Sequence, residues 1–113
     1  MTINILALDI GGAFIKTAFL RSAGEPQMRP ERQPKRQIVP FELWKEPQKL
    51  AAVLRRLAPQ TKRSAVTITM TGELCDCFTD RRRGVKHIVD SAVKVFGKSV
   101  KVFGRKGALL SPP

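Results

Sequence analysis

The chain has 113 residues and an apolar share of 42%, which suits one domain with one modest core. Its 21 lysines and arginines outnumber 9 acids to give a formal net charge of +12, which permits attraction to nucleic acid or phosphorylated ligands. No apolar run reaches the length of a membrane span, and the N-terminus lacks a secretory signal. We therefore expect a cytoplasmic protein with reduced thiols and no membrane partner.

The first elements form a hairpin with a charged turn. Residues 3–10 are almost continuously apolar, which predicts a central strand, and residues 14–20 predict its antiparallel partner. Asp9, Gly11, Gly12 and Lys16 lie at the turn between them. An acid at a strand end can hold Mg²⁺, glycines let the backbone approach a phosphate, and a lysine adds positive charge. On spacing alone, a purely structural Gly-Gly hairpin turn is the favoured interpretation.

Residues 21–36 differ from the hairpin in composition. Pro26, Pro30 and Pro34 alternate with charges and glutamines, so we predict an exposed loop without helix or strand. Its length suggests mobility or a partner. Residues 37–41 predict a short edge strand, because Pro40 limits its pairing.

A short amphipathic helix is predicted next. Pro47 suits a first helical turn, and Pro59 ends the segment. Apolar residues recur between them at helical spacing, at Leu50, Val53, Leu54 and Leu57. We expect Trp44 to anchor this helix to the sheet.

The second half contains a strand, a loop rich in acids and thiols, and a longer helix. Threonines alternate with apolar residues over 65–71, which predicts a strand that Gly72 ends. Asp80 is a suitable N-cap and Gly97 a suitable C-cap for the helix that follows. Residues 100–103 predict a last short strand, and residues 104–113 a loop.

The predicted order is therefore β-β-β-α-β-α-β, an α/β fold with a mixed five-stranded sheet covered by helices. Glu73 and Asp76 follow the C-terminal end of a strand, where open α/β sheets place ligands, so they are candidates for acid–base work or metal binding. The alternative is a solvated loop whose acids cap a helix. Of the three arginines that open the second helix, we expect Arg81 and Arg82 to face solvent, and Arg83 to face a ligand or a carboxylate.

The Asp-Ile-Gly-Gly-x-x-x-Lys hairpin, together with this order of elements, resembles the first lobe of the actin-like ATPase superfamily, a ribonuclease H-like fold. In that superfamily the first hairpin carries a loop that contacts phosphate. The resemblance places Asp9, Gly11, Gly12 and Lys16 at the corresponding positions.

A closer resemblance comes from residues 69–78, Thr-Met-Thr-Gly-Glu-Leu-Cys-Asp-Cys-Phe, followed by Arg83-Gly84-Val85. This stretch is similar to the hydantoinase/oxoprolinase-related proteins of tetrahydromethanopterin-linked one-carbon metabolism, some of which serve methanofuran-type cofactor biosynthesis. The resemblance implies an enzyme that handles a phosphorylated small molecule, condensing an aminomethylfuran phosphate ester with an amine or phenol acceptor. It implies Mg²⁺ at Asp9 and leaves open whether ATP is bound. The implied residues are Asp9, Glu73 and Asp76 for catalysis and Gly11, Gly12, Lys16 and Arg83 for binding.

We expect members of that group to be about three times as long as this chain, a size at which α/β enzymes split into two domains. Residues 1–104 are then interpreted as the N-terminal lobe of a longer protein, and residues 105–113 as a tail or the start of a missing segment. This lobe would form one wall of a site that a missing C-terminal lobe or an identical subunit completes. The chain alone is expected to be inactive. An ATP-dependent amidohydrolase lobe and a basic nucleic-acid-binding module remain as alternatives, the second disfavoured because no recognition motif accompanies the charge. Cys75 and Cys77 are expected to pack as small apolar groups, and His87 to lie on the surface.

Overall fold

The computed structural model describes residues 3–22, 35–58, 64–103 and 109–112. Within them one mixed sheet has the strand order β3-β2-β1-β4-β5-β6. The strands are β1 (Ile3–Ile10), β2 (Phe14–Ser22), β3 (Lys35–Pro40), β4 (Ser64–Met70), β5 (Lys101–Phe103) and β6 (Leu109–Leu110). The helices are α1 (Leu50–Leu57) and α2 (Arg81–Phe96), and 3-10 turns precede each of them at Pro47–Lys49 and Gly72–Leu74.

The predicted α/β order and all five predicted strands are confirmed. The two-residue strand β6 adds a sixth, inside the segment that was expected to be a loop. Two strands extend into the segment that was predicted to be a loop. Strand β2 continues to Ser22, and β3 begins at Lys35, which pairs with Phe19. The remainder of the predicted loop, residues 23–34, lies outside the described residues.

The central strands run parallel and the outer strands antiparallel. β1 pairs with β4, and β4 with β5, in parallel. The β1–β2, β2–β3 and β5–β6 pairs are antiparallel. The C-terminal ends of β1 and β4 therefore meet at the same edge of the sheet, where Thr71 N–H donates to the carbonyl of Ile10 at 3.1 Å.

The hydrophobic core lies between one face of the sheet and both helices. Along β1 the alternation of side chains puts Leu6, Leu8 and Ile10 on this side, each at most 2% exposed. The helices close it with fully buried residues that include Leu54 of α1 and Ile88 of α2. The other β1 side chains, Ile5, Ala7 and Asp9, point to the opposite side of the sheet, which we call the open face. Their register partners on the neighbouring strands share that face.

Helix α2 has both predicted caps. Asp80 Oδ1 accepts the backbone N–H of Arg83 at 2.8 Å, which satisfies a donor at the helix start. Gly97 ends the helix at φ 86°, a left-handed conformation that favours glycine, and its N–H donates to the carbonyl of Val93 at 2.8 Å. The ends of α2 are thus fixed by local sequence.

Two expectations about single side chains are wrong. Trp44 is 52% exposed, and the adjacent Leu43, which is fully buried, anchors the segment before α1 instead. His87 is half-buried, because its Nε2 lies 2.6 Å from the carbonyl oxygen of Pro47 and its ring packs 5.5 Å from that of Phe78. His87 therefore ties α2 to the 3-10 turn before α1. In the described part of the chain, no helix is both long and apolar enough to cross a membrane.

Candidate functional site

The β1–β2 turn presents its amides and not its carbonyls. The carbonyl oxygen of Gly12 accepts from Leu43 N–H at 2.9 Å, and that of Ala13 accepts from Phe41 N–H at 3.0 Å. Gly11 N–H closes the turn by donating to the carbonyl oxygen of Phe14 at 3.0 Å. Within the described residues, the N–H groups of Gly12 and Ala13 have no hydrogen-bond partner. Two adjacent free donors at a turn are able to bind an anion.

Asp9 and Lys16 lie beside this turn on the open face. They are register partners across the β1–β2 pair, and Thr69 of β4 is the partner of Asp9 on its other side. Asp9 is half-buried and Lys16 exposed, and no salt bridge joins them in the described part of the chain. Both charges thus remain available to a ligand seated on the turn.

Glu73 is the buried acid of this edge. Only 6% of the residue is exposed, and its Oε2 has no hydrogen-bond partner among the described residues. Its Oε1 lies 3.9 Å from the guanidinium of Arg81, which is a long ion pair. A buried carboxylate oxygen without a donor costs free energy, so its retention points to a group that is satisfied by water or by a bound ligand.

Close packing of glycines fixes the position of Glu73. A Cβ at Gly84 of α2 would lie 2.5 Å from the carbonyl oxygen of Glu73, so helix and turn touch without a side chain between them. A Cβ at Gly72 would lie 3.2 Å from the carbonyl oxygen of Gly11. The turn that carries Glu73 is therefore packed directly against the β1–β2 turn on one side and α2 on the other.

The arginines of α2 agree with the expectation only in part, because Arg83 does face a carboxylate whereas Arg81 does not face solvent alone. Arg81, expected to face solvent, is the residue that approaches Glu73. The Arg83 guanidinium lies 3.9 Å from the carboxylate of Asp80, its own helix cap, and its side chain is 72% exposed. Asp76 is exposed as well. The structure thus brings Glu73 and the glycine turn together at one edge, while Asp76 and Arg83 lie on its solvent-exposed side.

The two thiols line the same edge. A Cβ at Gly12 would lie 2.8 Å from Cys75 Sγ, so this thiol packs directly on the turn. Cys77 Sγ lies 3.6 Å from the carbonyl oxygen of Leu43. Desolvation by burial raises the pKa of Cys75 above 9.0, and the neighbouring Cys77 raises it further. Both thiols are free and half-buried, and Cys75 acts as a packing group for the turn.

Sequence reasoning missed two contributors to this edge. Segment 41–43 holds the turn carbonyls, yet nothing in its composition marks it, because the contact is made by backbone atoms. Arg81 is one of three consecutive arginines, so the sequence does not indicate which of them approaches Glu73. The direction of α2 decides this. No group of three or more His, Cys, Asp or Glu side chains able to hold a metal occurs among the described residues.

Comparison with known proteins supplies the context for this edge. No family model matches the chain. It is 31% identical over 111 residues to the (4-{4-[2-(gamma-L-glutamylamino)ethyl]phenoxymethyl}furan-2-yl)methanamine synthase of Methanocaldococcus jannaschii, a match that covers 98% of this chain. The chain is a partial homologue of this synthase. It spans only 30% of the synthase's length.

Two solved structures are similar to this chain, and the first has the same fold. A member of the Ppx/GppA protein family from Aquifex aeolicus superposes with a TM-score of 0.54 at 10% identity, over 90% of this chain and 35% of that one. A second structure of an Aquifex aeolicus PPX-GPPA enzyme gives a TM-score of 0.46 at 11% identity, over 90% and 36% of the two chains. The first of these has the actin-like fold that the hairpin motif and the order of elements predict, so the fold is confirmed.

Proposed function

We propose that this chain forms the phosphate-binding wall of a site that condenses a furan phosphate ester with a phenol, in the biosynthesis of a methanofuran-type cofactor. The observation that carries the proposal is the β1–β2 turn, where the carbonyls of Gly12 and Ala13 are held and their N–H groups are free. The likeness to the furan-methanamine synthase supplies the substrate class.

The name of that synthase's product contains a phenoxymethyl-furan group, an ether between a phenol and the exocyclic carbon of a furan. In the proposed reaction the phenol oxygen forms a bond to that carbon. The bond from the carbon to the phosphate oxygen breaks, and phosphate leaves with the electron pair. The phenol proton passes to a base. Because phosphate carries the developing charge, positioning and charge neutralisation supply most of the acceleration in such transfers.

The turn and Lys16 would bind the leaving phosphate. The amides of Gly12 and Ala13 would donate to its oxygens. Lys16, which lies opposite Asp9 on the open face, would add a positive charge. Mg²⁺ fits this arrangement, because it binds through one or two carboxylates together with substrate phosphate and needs no cage of protein ligands. Asp9, half-buried beside the turn, is the residue that would hold it. The cation would supply charge neutralisation at the phosphate.

The proton is assigned to the acids that follow β4. Glu73 has a carboxylate oxygen without a partner and a fixed backbone, both of which suit a residue that accepts a proton at a defined point. Asp76, exposed on the same edge, would face the acceptor as it enters. Arg83 would join the site only if its guanidinium leaves Asp80.

The remainder of the site would come from a lobe that corresponds to the rest of the synthase, or from an identical subunit. The chain alone would then bind phosphate and show no turnover of a furan phosphate and tyramine. Robust turnover by the isolated chain that is unchanged in Asp9→Asn would contradict the proposal.

The test is an NMR titration of the ¹⁵N-labelled chain with inorganic phosphate and with furan-2-ylmethyl phosphate. Binding is measured from the chemical shifts of the backbone amides. We expect the amides of Gly12 and Ala13 to move together and to saturate, and Lys16→Ala to weaken binding by about fivefold, because one charge-assisted contact is lost. Lys94→Ala, which removes an exposed lysine of α2, is the matched control and should bind as the wild type does. Shifts confined to residues of α1 and α2 would show general attraction to the basic surface and would refute the site.

A further inference from the structure

Cys75 and Cys77 are two free thiols on one tight turn, and the proposed reaction uses neither of them. The N–H of Phe78 donates to the carbonyl oxygen of Cys75 at 3.1 Å, which closes a turn with Cys75 in the first position and Cys77 in the third. Consecutive Cα atoms are about 3.8 Å apart, so the bend of a turn brings the first and third to about 5.5 Å. This separation lies within the range of about 4.4–6.8 Å that a disulfide spans.

The two side chains also point toward each other. Their thiols are hydrogen-bonded to one another, and each contacts one member of a backbone pair that supports the β1–β2 turn. Cys75 Sγ packs on Gly12, where a Cβ would lie 2.8 Å from it. Cys77 Sγ lies 3.6 Å from the carbonyl oxygen of Leu43. Because Leu43 N–H donates to the carbonyl oxygen of Gly12 at 2.9 Å, both sulfurs converge on one small region.

The two thiols are suited to different steps of a thiol–disulfide exchange. Burial, together with the neighbouring Cys77, raises the pKa of the Cys75 thiol, so Cys75 is a poor first nucleophile. Cys77 is then the thiol that attacks first, and Cys75 lies beside it, where it can resolve the product. An attacking thiol with a resolving thiol next to it is the arrangement of redox-sensing cysteines.

We propose that Cys75 and Cys77 are a redox-sensitive pair, which a small-molecule disulfide converts into an intramolecular disulfide that displaces the β1–β2 turn. Cys77 loses its proton to water, and its thiolate forms a bond to one sulfur of the oxidant. The sulfur–sulfur bond of the oxidant breaks, and one thiolate leaves and takes up a proton. Cys75 then loses its proton, attacks Cys77 Sγ and releases the second thiol. The two cysteines are oxidised, and the oxidant is reduced to two thiols.

Closing this bond moves at least one sulfur away from its contact with the turn. In a disulfide the sulfurs are about 2.05 Å apart, which is much shorter than a hydrogen bond between two thiols. Gly12, which supports Cys75, also supplies one of the two free amides of the turn. We expect oxidation to weaken phosphate binding by about tenfold, because a hydrogen bond to a charged group is lost. This effect on phosphate rests on the function proposed above, whereas formation of the disulfide does not.

The first test treats the chain with oxidised glutathione and follows it by intact-mass spectrometry. We expect the wild type to lose two hydrogen atoms while it stays a monomer, and to regain them with dithiothreitol. Cys75→Ser should stop at a glutathione adduct on Cys77, because no thiol is left to resolve it. Cys77→Ser, the matched control, should keep Cys75 as a free thiol over the same time. A lasting glutathione adduct on the wild type, a disulfide-linked dimer, or equally fast modification of Cys77→Ser would overturn the proposal.

The second test compares phosphate titrations of the reduced and oxidised ¹⁵N-labelled chain. We expect the amide of Gly12 to shift on oxidation and the affinity to fall about tenfold, while Cys77→Ser binds equally with and without the oxidant. Equal affinities of the two wild-type forms, or loss of the far-UV circular dichroism of the folded chain on oxidation, would overturn the switch and leave the phosphate site in place. If neither form binds phosphate, the proposed function fails. The shift of the Gly12 amide then decides by itself whether the disulfide displaces the turn, and an unmoved amide would refute it.

Discussion

Gly84→Ala tests whether α2 touches the backbone of Glu73. A Cβ at this position would meet the carbonyl oxygen of Glu73 at 2.5 Å and its Cα at 2.7 Å, both backbone atoms that cannot rotate away. Ordinary contact begins at 3.4 Å, so helix and turn must separate by almost an ångström. Inserting a methyl group into a filled space costs about 1–3 kcal/mol, whereas alanine in a helix gains about 0.5–1 kcal/mol over glycine. We expect a net loss in the free energy of unfolding of about 1–2 kcal/mol.

The assay is urea unfolding followed by far-UV circular dichroism, where this loss lowers the midpoint by about 0.5–1 M at an ordinary m-value. Lys94→Ala and Lys94→Gly form the control pair, since they measure the alanine–glycine difference at an exposed position of the same helix. If Gly84→Ala stabilises the protein by as much as that pair differs, α2 does not approach Glu73 and the reasoning is refuted. If the variant folds but loses stability, ¹⁵N shifts should appear around Glu73.

Three other predictions concern the same edge of the sheet. Gly12→Ala should destabilise the fold by about 1 kcal/mol through contact with Cys75, and Cys75→Ala should recover part of that loss, which a double-mutant cycle in urea measures. Additive losses would show that the two residues do not touch. Asp80→Ala should lose about 1 kcal/mol because the Arg83 N–H loses its cap, whereas Asp80→Asn should lose less. The raised pKa of Cys75 means that its neutral thiol favours the folded state, so this contribution is present below pH 9 and is lost as the pH rises through the folded pKa. Iodoacetamide labelling of Cys75 should therefore lag behind that of the unfolded chain at pH 8, and equal rates would contradict the burial.

The fold could be predicted from the sequence because its elements carry strong local signals. The threonine alternation of β4, the apolar run of β1, and the caps Asp80 and Gly97 each act within a few residues. The short strand β6 has no such signal, because two leucines pair only where β5 offers a free edge. Trp44 was misplaced for a similar reason, since the choice between Leu43 and Trp44 as the anchor depends on the direction in which the chain approaches the core.

The candidate site was predicted less completely. The position of Asp9, Gly11 and Gly12 at a hairpin turn could be predicted because such a turn is local, and the amides of Gly12 and Ala13 in it are free. The burial of Glu73 could not be predicted, because it arises from contacts with Gly84 and α2 rather than from neighbours in sequence. The pairing of Arg81 rather than Arg83 with Glu73 depends on the same tertiary contact. Their roles in binding or catalysis stay predictions.

The register of the β1–β2 hairpin limits how this protein can change in evolution. Asp9 stands opposite Lys16, and Ile10 opposite Ile15, with the four residues 11–14 between the last pair. If a deletion of one residue in the turn shifted the pairing by one position, Lys16 would point into the core and Ile15 would point to solvent, because side chains alternate between the two faces. Length changes in this turn are therefore tolerated only where a different turn type or a bulge absorbs them and the pairing of Ile10 with Ile15 is kept. Relatives of this chain with a longer or shorter turn should keep the same alternation of apolar and polar residues on both strands.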